Sequence, residues 1–75
     1  MPALYIREML QIQLNGEPKT LHTATTLAEL VTELGLDPRK IAIEQNRVII
    51  PKSAYASTPL TPADEIEIVA FIGGG

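Results

Sequence analysis

Several residue types that carry chemistry in proteins are absent or nearly absent from this sequence. It has no cysteine, no tryptophan, one phenylalanine and one histidine, His22. Without cysteine, the sequence excludes disulfides, thiolate metal sites, iron–sulfur clusters and thiol catalysis. A single histidine also leaves zinc sites and serine–histidine triads almost nothing to draw on. We therefore expect no bound metal, no bound cofactor and no catalytic triad.

Basic charge and long apolar runs are also scarce. Six Lys and Arg residues stand against nine Asp and Glu residues, for a net charge of −3. This balance argues against nucleic acid, which needs a basic surface, and weakly favours a basic protein partner. No apolar run approaches the ~20 residues of a membrane helix, and the first residues lack a signal-peptide pattern. We expect a soluble cytoplasmic protein with no nucleic-acid or membrane partner.

The length of the chain limits what it can catalyse. Its 75 residues make one domain, and a domain of this size buries only about 60–65% of its unfolded surface. A deep catalytic cleft is hard to build from so little material. No nucleophile, base and orienting residue can be assembled from the sequence either, so an enzyme is the least favoured reading.

The residues from Glu65 to Gly75, EIEIVAFIGGG, are the most informative stretch. Glu65 to Ile72 alternates and is rich in β-formers, which predicts a strand. Gly73, Gly74 and Gly75 follow it directly. Residues without Cβ atoms can enter a narrow channel, and three or four extended residues reach about 10–14 Å. The pattern predicts a thin tail that places the Gly75 carboxylate in a partner's active site. The alternative is a frayed terminus.

The rest of the sequence predicts a hairpin followed by a helix. Leu10 to Leu14 alternates, Asn15-Gly16 is typical of a two-residue hairpin turn, and Pro18 makes the return strand to Thr23 an edge strand. A capping box, Thr26-x-x-Glu29, then begins a helix. The apolar stripe of this helix consists of Leu27, Leu30, Val31 and Leu34. Gly35 is predicted to end the helix.

Two short strands and an irregular connection complete the pattern. The strands are predicted at Ile41 to Glu44 and Val48 to Ile50, and the connection at Ser53 to Pro62. One amphipathic helix packed across one face of a mixed sheet buries the leucine stripe with the fewest elements. We therefore predict an α+β fold of two layers at residues 10–72, with a flexible tail at 73–75. Residues 1–9 are an extension, and Met1 to Glu8 is read as a piece of strand, a packed segment or residues ahead of a start at Met9.

On this order of elements and its glycine ending, the sequence resembles the ubiquitin-like β-grasp sulfur carriers and, more narrowly, the ThiS family of thiamine biosynthesis. The matching segments are Gln11 to Glu17, Thr26 to Leu30, Ala42 to Asn46, Val48 to Lys52, and Asp64 to Val69 leading to Gly73-Gly74-Gly75. The resemblance covers Leu10 to Gly75. Two departures are Tyr55, where many members have Trp, and Pro62-Ala63-Asp64, which replaces the usual Gly-Asp turn.

The resemblance implies a carrier that partner enzymes act on. An ionised terminal carboxylate can attack the α-phosphate of ATP and form an acyl-adenylate, from which a sulfur nucleophile displaces AMP. In the family, an E1-like adenylyltransferase (ThiF-like) uses the ATP, a cysteine desulfurase supplies persulfide sulfur, and thiazole synthase (ThiG-like) receives the sulfur. Gly75 is then the reacting residue, with Gly73 and Gly74 in the partner's channel.

A second candidate feature is an apolar surface beside the tail. Ile66, Ile68, Ala70 and Ile72 are predicted to lie under the helix, whereas the opposite face of the strand begins with acids and ends at Val69 and Phe71. An apolar patch rimmed by acids is typical of a partner interface. We take Val69, Phe71 and Ile72 as partner-binding residues. Alternatively, the N-terminal extension or cross-strand neighbours cover Val69 and Phe71.

Rival functions share parts of this pattern. The small subunit of molybdopterin synthase has the same fold and tail but lacks the IEIV-to-GGG ending. A ubiquitin-like modifier would use its glycine to form isopeptide bonds with lysine. A plain binding module would keep its function without Gly74 and Gly75.

Overall fold

The computed structural model describes residues 9–21 and 25–71. Within these ranges the strands are β1 (Leu10–Leu14), β2 (Glu17–Leu21), β3 (Ile41–Gln45), β4 (Val48–Ile50) and β5 (Glu65–Ala70), and the α-helix is α1 (Leu27–Glu33). Two 3₁₀ helices lie at Pro38–Lys40 and Lys52–Ser57. The predictions for Met1 to Glu8, His22 and the glycine tail lie outside the described residues.

The strands form one mixed sheet with β5 near its middle. Their order is β2-β1-β5-β3-β4. β5 runs parallel to β1 and antiparallel to β3, while each hairpin is antiparallel. One helix packed on one face of such a sheet confirms the predicted α+β β-grasp fold, and it confirms β2 as an edge strand.

The helix begins and ends where the sequence predicts. The Glu29 backbone N–H donates to Thr26 Oγ1 at 3.2 Å, and the Thr26 N–H donates to Glu29 Oε1 at 3.0 Å. This reciprocal capping box satisfies two backbone donors that the first turn leaves unpaired. Gly35 follows the helix with φ of +74°. A left-handed residue at this position ends a helix, and glycine adopts it without strain.

The core lies between α1 and the inner face of the sheet. Its buried apolar residues are Ile12, Leu21, Leu27, Leu30, Val31, Ile41, Ile43, Tyr55, Leu60 and Ile66. Tyr55, which stands where many members of the resembled family have Trp, is only 4% exposed and is part of the core. Burial accordingly raises the pKa of the Tyr55 hydroxyl. No helix among the described residues is long and apolar enough to cross a membrane.

Both hairpin turns place two residues at positive φ. In the β1–β2 turn these residues are Asn15 (51°) and Gly16 (84°), and in the β3–β4 turn they are Asn46 (52°) and Arg47 (72°). Type I′ turns need this conformation, and Asn-Gly suits them best. Arg47 therefore carries backbone strain that Gly16 avoids.

Replacing Arg47 with glycine is expected to raise the free energy of unfolding by about 0.5–1 kcal/mol. The left-handed conformation costs a non-glycine residue about 1–2 kcal/mol, and the greater freedom of glycine in the unfolded chain offsets part of this gain. The Arg47–Glu65 ion pair that is lost is long, at 3.7 Å, and exposed, so it contributes little. Urea denaturation measures the change.

The matched control for Arg47→Gly is the reverse change in the other turn, Gly16→Ala. No heavy atom lies within 4 Å of a Cβ built at Gly16. Gly16→Ala is therefore expected to destabilise through backbone conformation alone. A destabilised Arg47→Gly variant would contradict this account of the two turns.

Candidate functional site

The predicted glycine tail follows the central strand of the sheet. β5 is paired with β3 from Ile66 to Ala70, and the Phe71 N–H continues this pairing by donating to the Lys40 carbonyl at 2.8 Å. β5 therefore ends at Ala70, whereas the sequence predicted a strand that extends to Ile72. Ile72, Gly73, Gly74 and Gly75 lie outside the described residues, and their proposed roles remain predictions. The described structure fixes the stem from which the tail continues.

Asp64 fixes the point where β5 begins. Its carboxylate accepts hydrogen bonds from Gln45 Nε2 (2.9 Å), Asn46 Nδ2 (2.9 Å), the Thr61 N–H (2.8 Å) and Thr61 Oγ1 (2.8 Å). The residue is 5% exposed. Burial acts to raise the pKa of Asp64, but the hydrogen bonds from Asn46, Thr61 and Gln45 together outweigh it and hold the pKa below its usual value.

Asn46 and Asn15 tie the two hairpin turns to β5. Asn46 Oδ1 accepts the Glu65 N–H at 2.9 Å, and the Asn46 N–H donates to the Glu65 carbonyl at 2.8 Å. Asn15 Oδ1 accepts the Ile68 N–H at 2.8 Å, across 53 residues of sequence. The sequence analysis identified neither Asn46 nor Asp64 as a hydrogen-bonding residue that anchors β5. The four donors come from three residues in two segments, and two of these residues, Gln45 and Asn46, lie 19 and 18 residues from Asp64 in the sequence, where no local spacing reveals them.

The face of β5 opposite the helix carries an exposed apolar surface. Val69 is 58% exposed and Phe71 is 55% exposed. Val69 lies directly opposite Ala42 of β3, and Ile49 of β4 lies opposite Glu44 on the same face. We call Ala42, Ile49, Val69 and Phe71 the open-face patch. It contains two of the three predicted partner-binding residues and adds two that the sequence analysis missed.

Charged side chains border the open-face patch. Glu44 of β3 and Glu67 of β5 are cross-strand partners, so two acids stand side by side next to Val69 and Ile49. On the other side, Lys52 Nζ lies 5.7 Å from the centre of the Phe71 ring and donates to the Ile41 carbonyl at 3.2 Å. A cation over an aromatic face is attractive and holds the ring in place. The patch is therefore apolar at its centre and charged at its rim, as an interface is.

The inner face of β5 differs from the prediction. Ile66 is buried, but Ile68 is half-buried and Ala70 is exposed. The reason is the short helix: seven residues span only about 10 Å at 1.5 Å each. The sheet extends past the end of α1, and the prediction that Ala70 lies under the helix is wrong.

The described residues offer little for catalysis. No group of three or more His, Asp or Glu side chains among residues 9–21 and 25–71 could hold a metal ion. At the half-buried Asp37, hydrogen bonds from Arg39 lower the pKa of the carboxyl to about 2. This pair caps the 3₁₀ helix that begins at Pro38, which is a structural role.

Comparisons with known proteins agree with the geometry. Residues 12–75 match the model of the ThiS family. The chain is 46% identical over 66 residues to a thiazole synthase of Paramagnetospirillum magneticum, a match that covers 88% of this chain and 20% of that protein. It is 37% identical over 65 residues to the sulfur carrier protein ThiS of Bacillus subtilis, covering 85% and 98% of the two chains.

A solved structure gives the same result for the fold. The crystal structure of the thiamine biosynthesis protein ThiS from Geobacter metallireducens superposes with a TM-score of 0.77 at 25% identity, covering 88% of this chain and 100% of that one. The chain thus spans about a fifth of the thiazole synthase it matches and nearly the whole of the small carriers. On the match to residues 12–75, this chain belongs to the ThiS family.

Proposed function

We propose that this chain is a sulfur carrier of thiamine biosynthesis whose Gly75 carboxylate is converted to a thiocarboxylate. The observation that carries the proposal is the family match, which runs through Gly75. The central strand supports it, because β5 leads from the Asp64 hydrogen bonds directly to the tail. The carrier is a co-substrate, and the catalytic groups belong to its partners.

The chemistry begins with activation of an unreactive group. The ionised carboxylate attacks the α-phosphate of ATP on an E1-like partner, and pyrophosphate leaves. A persulfide sulfur from a cysteine desulfurase then attacks the acyl-adenylate and displaces AMP. A thiol cleaves the resulting sulfur–sulfur bond, which leaves the thiocarboxylate on Gly75 and a disulfide on the donor. Glycine suits the reacting position because no side chain obstructs the acyl carbon.

We propose that the open-face patch binds the E1-like partner. The patch lies on the same strand as the tail, and its apolar centre is exposed in the free carrier. Docking there would hold the stem while Ile72, Gly73 and Gly74 extend by up to about 10–11 Å toward the nucleotide. The acids at the rim favour a partner that is basic around an apolar pocket.

The receiving enzyme is proposed to be a thiazole synthase. Two thiazole synthases contain a segment similar to this chain, at 46% and 42% identity. A carrier domain within the same polypeptide as the receiving enzyme would act at high effective concentration. No comparable observation favours the alternative function, the small subunit of molybdopterin synthase.

Intact mass spectrometry tests the proposal. Incubation with ATP, the E1-like partner and a persulfide source is expected to replace one oxygen of the carrier with one sulfur. Removal of Gly75 should abolish the mass change, because the new terminal carboxylate, on Gly74, would be one residue too far from the partner's nucleotide. An unchanged mass, with partners shown to be active on another carrier, would overturn sulfur carriage. Attachment to a lysine of another protein would indicate a conjugating modifier instead.

A further inference from the structure

The edge of β5 beyond the end of β1 has no neighbouring strand among the described residues. β1 pairs with β5 at only two positions, Gln13 with Glu65 and Leu14 with Ile66. The chain then turns away at Asn15 and Gly16 into β2. Asn15 Oδ1 accepts the Ile68 N–H, and this is the last hydrogen bond on that edge in the described ranges.

Strand alternation identifies the backbone groups left open. The Glu65 carbonyl and the Phe71 N–H bond to the β3 side, whereas the Ile66 carbonyl and the Ile68 N–H bond to the β1 side. Residues with even numbers therefore direct their backbone groups toward β1. Within the part of the chain that the structure describes, the Ile68 carbonyl and both backbone groups of Ala70 have no hydrogen-bond partner. We call Ile68 to Ala70 the open edge.

Other strand edges of this sheet are protected. The outer strand β2 contains Pro18 and Lys19, and the opposite outer strand β4 has three residues and is followed by Pro51. The Ile41 carbonyl, which extends past the end of β4, accepts a hydrogen bond from Lys52 Nζ. Natural sheets use proline, lysine, short strands and caps in this way to prevent pairing with other chains. The open edge has the sequence Ile-Val-Ala, with no charge and no proline.

An apolar groove lies beside the open edge on the helix side. Its volume is about 330 Å³, and its lining comprises Leu14, Asn15, Leu34, Leu36, Ile41, Ile68 and Ala70. Leu36 is 38% exposed. In an added strand, alternate side chains would point to this face of the sheet. The groove therefore has a suitable position and polarity for one apolar side chain of a strand paired with the open edge.

We propose that the open edge receives an extended strand of the thiazole synthase, which inserts one apolar side chain into the groove. This inference rests on the proposed function. An unpaired N–H and carbonyl at strand spacing are matched by an extended backbone, and a pocket for an alternate side chain adds specificity. A strand placed here would run alongside β5 toward Phe71, the last described residue of the stem that precedes Gly75.

Proline at position 70 tests the proposal. Ala70→Pro removes the N–H on the open edge, and pairing with β3 is preserved because Ala70 directs its backbone groups away from that strand. Binding of the thiocarboxylated or unmodified carrier to thiazole synthase, measured by calorimetry, is expected to weaken about tenfold, as for the loss of one or two main-chain hydrogen bonds. Thiocarboxylate formation should remain unchanged.

The matched control is Thr20→Pro. Thr20 is exposed on β2, and the pairing of Leu14 with Glu17 next to the two-residue turn directs the Thr20 N–H away from β1. This variant removes an outward N–H from the opposite edge of the same sheet. It is expected to bind thiazole synthase within about twofold of the unmodified sequence. Thermal unfolding of both variants verifies that they are folded.

Amide hydrogen exchange gives a second measurement that needs no substitution. The Ala70 amide is expected to exchange about tenfold or more slowly when unmodified carrier binds thiazole synthase.

Equal exchange in free and bound carrier, or an unchanged affinity of Ala70→Pro for thiazole synthase, would overturn the proposal. So would a block of adenylation by Ala70→Pro with thiazole synthase binding intact, since the strand would then belong to the E1-like partner. Protection that depends on carrier concentration alone would assign the edge to a second copy. The binding and exchange measurements can be made on unmodified carrier, so they do not depend on sulfur loading. A failure of sulfur loading would therefore refute only the proposed function.

Discussion

Replacing Asp64 with asparagine is expected to lower the free energy of unfolding by about 2–3 kcal/mol. The carboxylate accepts four hydrogen bonds, two at each oxygen. The asparagine amide has the same shape but presents an NH₂ group to two of these donors, which then have no acceptor. Each buried donor left without a hydrogen bond costs about 1–3 kcal/mol. Because the two side chains have nearly equal volume, no cavity adds to the loss.

The loss on replacing Asp64 is expected to depend on pH. The pKa of Asp64 in the folded protein lies below its usual value, and the unfolded reference is about 3.9. The stability from the ionised carboxylate is therefore fully present above about pH 4 and is lost as pH falls through the folded pKa. Urea denaturation at pH 7 and at about pH 3 should show a difference between the two proteins that narrows in acid.

Asp37→Asn is the control for Asp64→Asn. Asp37 also has a lowered pKa, about 2, but its side chain is 31% exposed, and it caps a single 3₁₀ turn. Asparagine is also an effective cap, so this variant should lose much less stability at neutral pH. Equal losses in the two variants, or an Asp64→Asn loss that is unchanged in acid, would contradict the role given to the Asp64 hydrogen bonds.

Replacing Phe71 with alanine is expected to weaken binding of the E1-like partner by about 30- to 100-fold. Aromatic residues at the centre of an interface each contribute about 2 kcal/mol or more when truncated. The free energy of unfolding should change by less than about 1 kcal/mol, because Phe71 is 55% exposed and a single exposed cation–π contact, with Lys52, contributes little. The adenylation rate at varied carrier concentration measures the effect. It should appear mainly in KM, since Phe71 is four residues before the reacting Gly75 in the sequence and takes no part in the proposed chemistry.

Val48→Ala provides the control for Phe71→Ala. Val48 is also an exposed apolar residue, at 60%, but it lies opposite Gln45 and therefore on the other face from Glu44 and Ile49. Its replacement should leave KM within about twofold. If Val48→Ala weakens adenylation as much as Phe71→Ala, binding depends on general surface hydrophobicity, and the open-face patch is not the docking site.

The fold was predictable because its signals are local. The Asn15-Gly16 turn, the capping box at Thr26 and Glu29, and the alternation of β5 each need only neighbouring residues, and the structure confirms all three. Strand ends were less accurate: β3 extends to Gln45 and β5 ends at Ala70. Pairing with neighbouring strands sets these ends, and a strand pattern does not contain that information.

The candidate site was predictable only in part, for the same physical reason. Alternation along β5 placed Val69 and Phe71 on one face, and their exposure agrees with this. Ala42 and Ile49 join them only because β3 lies between β5 and β4, an order that the sequence does not reveal.

The turn at Ala63 is a similar case. Ala63 adopts φ of +68° at the position of the family's usual glycine, a departure that the sequence analysis noted without predicting a positive φ.

The central position of β5 governs how the domain assembles. β5 is synthesised after the other four strands but lies between β1 and β3. Before it inserts, the β1–β2 and β3–β4 hairpins share no paired strand, and an isolated hairpin is marginally stable. Insertion of β5 therefore joins two unstable ribbons in one cooperative step. The strand that completes the sheet is also the strand that bears the tail, so a partially folded chain has no ordered stem from which to present Gly75. Under the proposed function, loading with sulfur would therefore require a completely folded domain.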